Sequence, residues 1–577
     1  MSISANFPNL KPSFLADFAN SQVLDSRITF SRSTTAPYYD GKTSVLAEQN
    51  LVRYSQGTGM AANWGVDSGG ASTRTDNYAV APDGTTTAMR FVTTSSPYPN
   101  MSQSVSVPTA GTYTLSFYAS VPTGTQAFSG GTLSIAGTAT TTWQRFTATG
   151  TLSAGTQNIY LFNFGPTPTA GQELWIWGVQ LEQRSSVTAY NATTTTAITN
   201  YIPQLLTAPI NAPRFDFNPT TGESLGLLIE QSSTNLLTYS QDFSNAVWTK
   251  SNATIIATAD IAPDGTQTAQ LLVENTSTSS HGFYLSASYS QTNGQNYTQS
   301  VYLKAKERTW IVLQPSNGNP SALAYFNLGT GAIGTLTNCT ATITLVGNGW
   351  YRCTATYTAT VTTTTTIGGV FLATGDGGAS YTGNGYNGAY VWGNQFEALA
   401  FPTSYIPTTS AQVTRASDNA SMTGTNFSSW YNISQSTLYV EANITTPSNY
   451  LAIATLVLNN GTNTGIGLNW NSNGRPNYFM RLNGAFNPNL TIIGSTGQPT
   501  GSYKMGIVVT TTPTIFGAES GTLGSTVSSY YATQVNPNAL FIGLGENSSS
   551  PMTGYIKKLA YYPQAVTSTQ LQALTGT

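Results

Sequence analysis

One histidine, two cysteines and 23 acidic residues bound the chemistry that this 577-residue chain can perform. His281, within Ser279-Ser-His-Gly-Phe283, cannot build a catalytic triad or a multi-histidine metal site alone, and it reads as a loop or sheet-surface residue. Glycoside hydrolysis needs two carboxylates roughly 5–9.5 Å apart, yet several acids stand in turns, as in Asp83-Gly84 and Asp264-Gly265. Glu182 and Glu397 recur at equivalent places beside a tryptophan and a glutamine; their simplest role is to accept hydrogen bonds from loop amides. A single such carboxylate per repeat is too few for hydrolysis, so the chain reads as a binding or structural protein and not an enzyme.

Oxygen-rich turns around Asp83, Asp264 and Asp376 are candidates for a structural calcium ion, although their ligand density is far below that of an EF-hand; nothing calls for another cofactor. Cys339 and Cys353 flank a run that reads as a hairpin, Ala341 to Val346, Gly347-Asn-Gly349, then Trp350-Tyr-Arg352. That reading sets them nearly opposite each other, where either a cross-strand disulfide or two reduced, half-buried thiols would fit.

Sugar recognition uses aromatic platforms with Asn, Gln or Asp beside them to read hydroxyls. Tryptophans that recur in a duplicated pattern, Trp64 and Trp248, Trp143 and Trp350, Trp177 and Trp392, read as core. Aromatics without a counterpart are the better ligand candidates: Trp310, Tyr381 and Tyr386 in the middle of the chain, and Trp470 and Tyr478 near its end.

The duplication organises the chain. Asn50-Leu-Val-Arg-Tyr-Ser-Gln56 matches Asn235-Leu-Leu-Thr-Tyr-Ser-Gln241, Ala81-Pro-Asp-Gly-Thr85 matches Ala262-Pro-Asp-Gly-Thr266, and Trp177-Gly-Val-Gln-Leu-Glu182 matches Trp392-Gly-Asn-Gln-Phe-Glu397, with Tyr190 and Tyr405 following at equal distance. The order is preserved throughout. Between the markers lie short alternating segments rich in Thr, Val, Tyr and Phe, punctuated by turn residues, which predicts antiparallel β-sandwiches. The expected fold class is all-β: two related jelly-roll modules at 47–205 and 206–415, preceded by an N-terminal attachment segment at 1–46 and followed by a different sandwich at 416–577. Phe215 to Gly222 and Gly226 to Glu230 read as extended strands joining units, and Thr567 to Leu574 as a short capped helix.

Composition narrows the partners. Charged residues are 8% of the chain and the formal net charge is −2, which offers no basic field for nucleic acid or for an anionic membrane. No apolar run reaches the roughly 18 residues of a membrane span, and residues 1–10 lack a secretory signal pattern. A soluble protein made in a cytoplasm is the expectation. With 32 Tyr, 23 Phe and 10 Trp, disorder is excluded on composition.

Leu15-Ala-Asp-Phe-Ala19 with Arg27-Ile-Thr-Phe-Ser-Arg32, Gly226-Leu-Leu-Ile-Glu230 with Thr234-Asn-Leu-Leu-Thr-Tyr-Ser240, and Thr403-Ser-Tyr-Ile-Pro-Thr408 together resemble bacteriophage virion surface proteins. These are head spikes, fibres and tail-associated proteins that combine carbohydrate-binding-module-like sandwiches with a concanavalin or laminin-G-like domain. Gly554 to Pro563 followed by Gln570 to Leu574 is similar to the last strand and terminal helix of the latter. The resemblance implies a virion-surface location, capsid or tail proteins bound through the N-terminal segment, a distal C-terminal domain, host-surface polysaccharide as ligand, and a homo-oligomer, commonly a trimer, although no heptad stretch marks one. A capsid decoration protein without ligand is the alternative, and a polysaccharide depolymerase the more distant one.

Overall fold

The structure, a computed structural model, describes residues 10–65, 72–94, 98–164, 169–285, 287, 289–318, 320–445, 452–459, 464–470, 476–482, 485–486, 501–511, 514–528, 536–545 and 551–576. It is all-β, built from antiparallel sheets, as period-two alternation demands. In Gly111–Ser120, for example, Tyr113, Leu115, Phe117 and Ala119 all point into one core.

In the first sandwich a five-stranded sheet runs Gln144–Leu152, Gly111–Ser120, Glu173–Glu182, Ala88–Thr93, Ser72–Ala79 in spatial order. The second sandwich repeats that order as Trp350–Thr358, Asn296–Ala305, Gly388–Glu397, Ala269–Glu274, Ala253–Asp260 and adds Thr340–Gly347 at the edge. Its other sheet has seven strands, among them Thr278–Leu285 and Trp310–Asn317.

The third sandwich is discontinuous in sequence. Phe14–Ala16 and Ser224–Ile229 both pair along one edge of Gly554–Tyr562, with Phe14 opposite Tyr561 and Leu227 opposite Ile556. Thr29–Ser31 joins the facing sheet beside Asn419–Thr423. Phe14, Phe18, Ile28, Phe30, Leu227 and Ile229 are buried there with Leu438, Val440 and Tyr561. The segment expected to be a free attachment arm is therefore part of the C-terminal sandwich, as is the strand expected merely to join units. Residues near both ends of the described chain thus share one sandwich. The terminal helix forms as expected, Ser568–Thr575 with Thr567 and Gln570 in a capping box.

A fully buried ion cluster ties these segments together. Asp418 accepts from Arg32 at 2.9 Å and from Arg214, while Glu230 pairs with Arg214 at 2.8 Å and approaches Arg415 at 3.6 Å. Burial works against ionised Glu230, but Arg415 and Arg214 outweigh it and hold the carboxyl down at about 2. Asp216 lies close by, accepting from the Tyr39 amide at 2.7 Å and the Tyr555 hydroxyl at 3.0 Å; here burial prevails and pushes the carboxyl up to about 6.

The two acids act oppositely. Glu230 contributes stability that is complete above its ordinary range near 4.5 and is lost as pH falls toward about 2. Asp216 keeps its proton in the fold while the unfolded chain releases it near 3.8, so its contribution declines as pH rises through about 4 to 6, by roughly 3 kcal/mol. Asp216→Asn, which keeps an acceptor for the Tyr39 amide, should match wild type near about pH 4 and exceed its stability above about pH 6 by a margin of that order. Denaturant titrations of both proteins across this range check it; a difference that does not vary with pH would refute the assignment.

The cysteines do not oppose each other. Cys353 faces Ile343 and is fully buried, whereas Cys339 precedes the first paired residue, Thr340, whose partner is Thr356. Both thiols are free, and burial raises both above the usual range. The hairpin reverses at Gly347-Asn348-Gly349 as expected, and that register sets Cys353 opposite Ile343, four residues from Cys339.

Candidate functional site

The closing strand of each of the first two sandwiches carries a bulge. Gly178 and Gly393 take φ of +67° and +63°, a region open to glycine at little cost, and the ladder shifts register beside each. The extra residue changes the alternation, so that Trp177 and Gln180 both leave the core face while Val179 and Leu181 return to it.

On the outer face of the first sandwich Trp177 meets Tyr118 at 5.3 Å and Tyr190 at 4.6 Å between ring centroids. The indole donates to Thr87 at 3.0 Å, and Thr85, bonded to both Thr87 and Asp83, links it to the Pro-Asp-Gly turn. Tyr190 shares a 2.6 Å hydrogen bond with Ser55. Arg145 lies over Tyr118 and donates to Thr188 O at 2.6 Å and Ser116 at 3.0 Å. The second sandwich repeats this arrangement with Trp392, Tyr302, Tyr405, Thr268, Asp264, Ser240 and Arg352.

What differs is the cover. In the second sandwich Trp392, Tyr302 and Tyr405 are 1%, 3% and 3% exposed, packed under Tyr39, Ala47, Ile202 and Leu205. The Pro-Asp-Gly turn there is capped by the connecting chain: Leu205 N donates to Pro263 O at 2.8 Å, and Gln204 donates to Asp264 O at 2.9 Å. A chamber of about 220 Å³ remains. In the first sandwich Tyr118 and Tyr190 are only half-buried, and the same face opens onto a cleft of about 1130 Å³. Its far wall is the outer sheet face of the second sandwich, including Ile256, Leu271, Val273 and Tyr390. Tyr386 closes one side against the Gly84 turn, where φ is +82° and any Cβ would collide with the tyrosine hydroxyl.

Lys304 sets the spacing of the two walls by pairing with Glu48, from the strand that enters the first sandwich, and with Asp260 at 2.9 Å. Burial raises Asp260; it also disfavours ionised Glu48, but Lys304 draws that carboxyl below its ordinary value.

Of the aromatic candidates from the sequence, Tyr386 alone is placed in this cleft. Trp310 lies half-buried with Val312, Tyr325 and Phe371 on the other sheet of the second sandwich. Tyr381 is committed, its hydroxyl donating to Glu274 at 2.7 Å and its ring under Arg308 at 4.8 Å. Tyr478 is fully buried in the third core, its hydroxyl on Ser525 O. Trp470 ends the strand Thr464–Trp470, and its side chain lies outside the described residues. His281 is buried and not on a surface, its ring nitrogens 2.8 Å from Asn252 O and 3.2 Å from Tyr381 O.

Among the calcium candidates, Asp83 and Asp264 accept from Thr85 and Thr266 within their turns, and Asp376 accepts from Thr335. No group of three or more His, Cys, Asp or Glu side chains that could hold a metal ion occurs among the described residues. Glu182 and Glu397 accept from the amides and hydroxyls of Thr188 and Thr403, which is the loop-holding role expected of them. Burial pushes both carboxyls up. Recurrence marks Trp177 as core, and it is 5% exposed; Tyr118 and Tyr190, half-buried at the cleft, are not singled out by the sequence. The intervening chain covers only the second set, and nothing in either repeat reveals that.

No protein-family model and no curated protein matches the chain. Among solved structures it is similar over 26% of its length to the sialidase CBM40 of Ruminococcus gnavus (14% identity, 88% of that chain, TM-score 0.24). It is similar over 62% to the CBM22-1–CBM22-2 tandem of Paenibacillus barcinonensis Xyn10C (11% identity, 99% of that chain, TM-score 0.18), and over 92% to the GH43 protein BlXynB of Bacillus licheniformis (8% identity, 100% of that chain, TM-score 0.18). All three scores are low, so the chemistry of the cleft has to be read from its own residues.

Proposed function

We propose that the chain is a glycan-binding surface protein, and that host-surface polysaccharide binds in the cleft between the first two sandwiches without being cleaved. The observation that carries this reading is the pair Tyr118 and Tyr190, half-buried at an open cleft where their counterparts Tyr302 and Tyr405 lie beneath the connecting chain. Half-buried rings beside amides and carboxylates suit the apolar faces and hydroxyls of sugar rings. Binding without hydrolysis is favoured because Glu48 and Asp260 share Lys304, and Asp83 is held by Thr85. The sequence resemblance supports a place on a bacteriophage particle, where several copies would turn modest affinity into avidity.

Calorimetry of the full chain against neutral oligosaccharides tests the reading. Tyr386, 39% exposed, can be truncated with little effect on folding: Tyr386→Ala should weaken binding at least about fivefold, while Trp310→Ala, on the other sheet, leaves it unchanged. Wild-type protein that binds no glycan, yet labels particles in immunogold microscopy, would favour the decoration reading.

A further inference from the structure

The three groups that set the width of the cleft are also placed to react with one another. Lys304 is 8% exposed, an uncommon place for a lysine. It stands between Trp350 and Tyr390, its partners on the two neighbouring strands, which are 0% and 4% exposed. Its Nζ lies 2.9 Å from Asp260 Oδ2 and also pairs with Glu48. Asp260 Oδ1 accepts from the Ile261 amide at 2.8 Å, and Glu48 Oε2 from the Asn200 side chain at 2.9 Å. The fold does not require this group: the first sandwich has Ser120 where the second has Lys304, and Ala79 where it has Asp260. Charge balance does not require it either, since two carboxylates meet one ammonium, and a buried ion pair adds little to stability.

The surroundings divide the two acids. Burial raises Asp260 and favours its protonated form; burial also works against ionised Glu48, but Lys304 outweighs it and keeps that carboxyl below its ordinary value. Acids pushed apart in this way take opposite parts in proton transfer. Burial disfavours the Lys304 ammonium, but Asp260 and Glu48 hold its proton in place, so the amine becomes a nucleophile when Glu48 takes that proton.

We infer that Lys304 and Asp260 condense to an isopeptide bond, with Glu48 as the proton relay. Glu48 accepts one proton from the ammonium, and the Nζ lone pair attacks Cγ of the protonated Asp260 carboxyl, a step that contact between the reactants favours. The charge that develops on Oδ1 meets the Ile261 amide. A second amine proton reaches the Oδ2 hydroxyl by way of Glu48, the Cγ–Oδ2 bond breaks, and water leaves into the cleft that all three residues line. One C–N bond forms, one C–O bond breaks and Glu48 is left protonated, so nothing beyond the three side chains is consumed. Glu48 arrives on the strand Ser44–Asn50, which enters the first sandwich, so the bond closes only once that strand has docked on the second. This goes beyond glycan binding and does not depend on it.

The test is intact-mass spectrometry of the full chain after unfolding. Wild type should weigh less than its sequence by one water, and Lys304→Met, which keeps an apolar stem and removes the amine, should have its full mass. Cyclisation at an Asp-Gly turn such as Asp83-Gly84 or Asp264-Gly265 loses the same water, so a glutamate-specific protease fixes the site. Glu274 is the sole glutamate between Asp260 and Lys304, and cleavage leaves residues 231–274 and 275–307 joined only by the new bond. In Glu48→Gln, which keeps an acceptor for Asn200, the two fragments should separate. Wild type of full mass, wild-type fragments that separate, or joined fragments in Glu48→Gln would each overturn the inference, and the wild-type results decide even where a variant fails to fold.

Discussion

Removing residues 1–33 should unfold the third sandwich while leaving the second intact. The deletion takes away the strands Phe14–Ala16 and Thr29–Ser31 and the side chains of Phe14, Phe18 and Phe30, which are 1%, 0% and 9% exposed. Truncating one such phenylalanine costs about 3–5 kcal/mol, so losing three removes roughly 9–15 kcal/mol, as much as the whole stability of a typical domain. The same cut deprives Asp418 of Arg32. The second core, built around Trp248, Phe283, Val301 and Phe396, draws on no residue before Leu237 among its buried members. In hydrogen exchange, Ser436–Ile444 and Gly554–Tyr562 should lose protection and Asn296–Ala305 should keep it. A synthetic peptide of residues 10–33 should restore the lost protection by adding its strand back to the Gly554–Tyr562 edge. A truncated protein with a protected C-terminal sandwich would contradict the discontinuous fold. The same geometry makes a cut at Arg415 a poor way to isolate domains, because it strips Leu227 and Ile229 of their core.

What the sequence disclosed and what it hid follow from the range of the interactions. Local signals were legible: alternation in Gly111–Ser120, the Pro-Asp-Gly turns, the capping box at Thr567, and the duplication that pairs Trp177 with Trp392. So was the role of Glu182 and Glu397, since their threonine partners lie six residues away. The pairing of Phe14 with Tyr561 spans most of the chain, and a three-residue strand looks the same whether it extends a distant sheet or leads nowhere. Recurrence marked Trp177 and Trp392 as core, and both are buried, at 5% and 1% exposed. It could not show that Tyr118 and Tyr190 stay half-buried, because exposure depends on what the rest of the chain lays over a face, and Tyr39, Ile202 and Leu205 lie over the second set. Aromatics without a counterpart were therefore poor guides: Tyr478 fills a core and Tyr381 is tied to Glu274, while Tyr386 reaches the cleft by closing on a turn of the other repeat.

Asp418→Ala should be the most destabilising single substitution in the buried ion cluster. Arg32, Arg214, Glu230 and the neighbouring Arg415 and Asp418 arrive from four separate places in the sequence and meet where the third sandwich joins the second. Three guanidinium groups against two carboxylates leave no surplus acceptor. Asp418 engages Arg32 through one oxygen and Arg214 through the other, and the latter oxygen also accepts from the Glu230 amide at 2.9 Å. Removing it leaves Arg32 without a carboxylate, Arg214 with Glu230 alone, and the Glu230 amide without its acceptor, at a cost of about 3–5 kcal/mol for a broken buried pair. Arg32→Met removes a charge but also releases the carbonyls of Thr34 and Pro209, so it should be destabilising by a smaller amount. In the double variant Asp418 no longer strands Arg32, and the combined loss should fall short of the sum by at least about 1 kcal/mol. Denaturant unfolding of the four proteins in the cycle measures that shortfall. Additive losses would mean that the two side chains are stabilised independently, and that the joint between sandwiches is held by its apolar contacts alone.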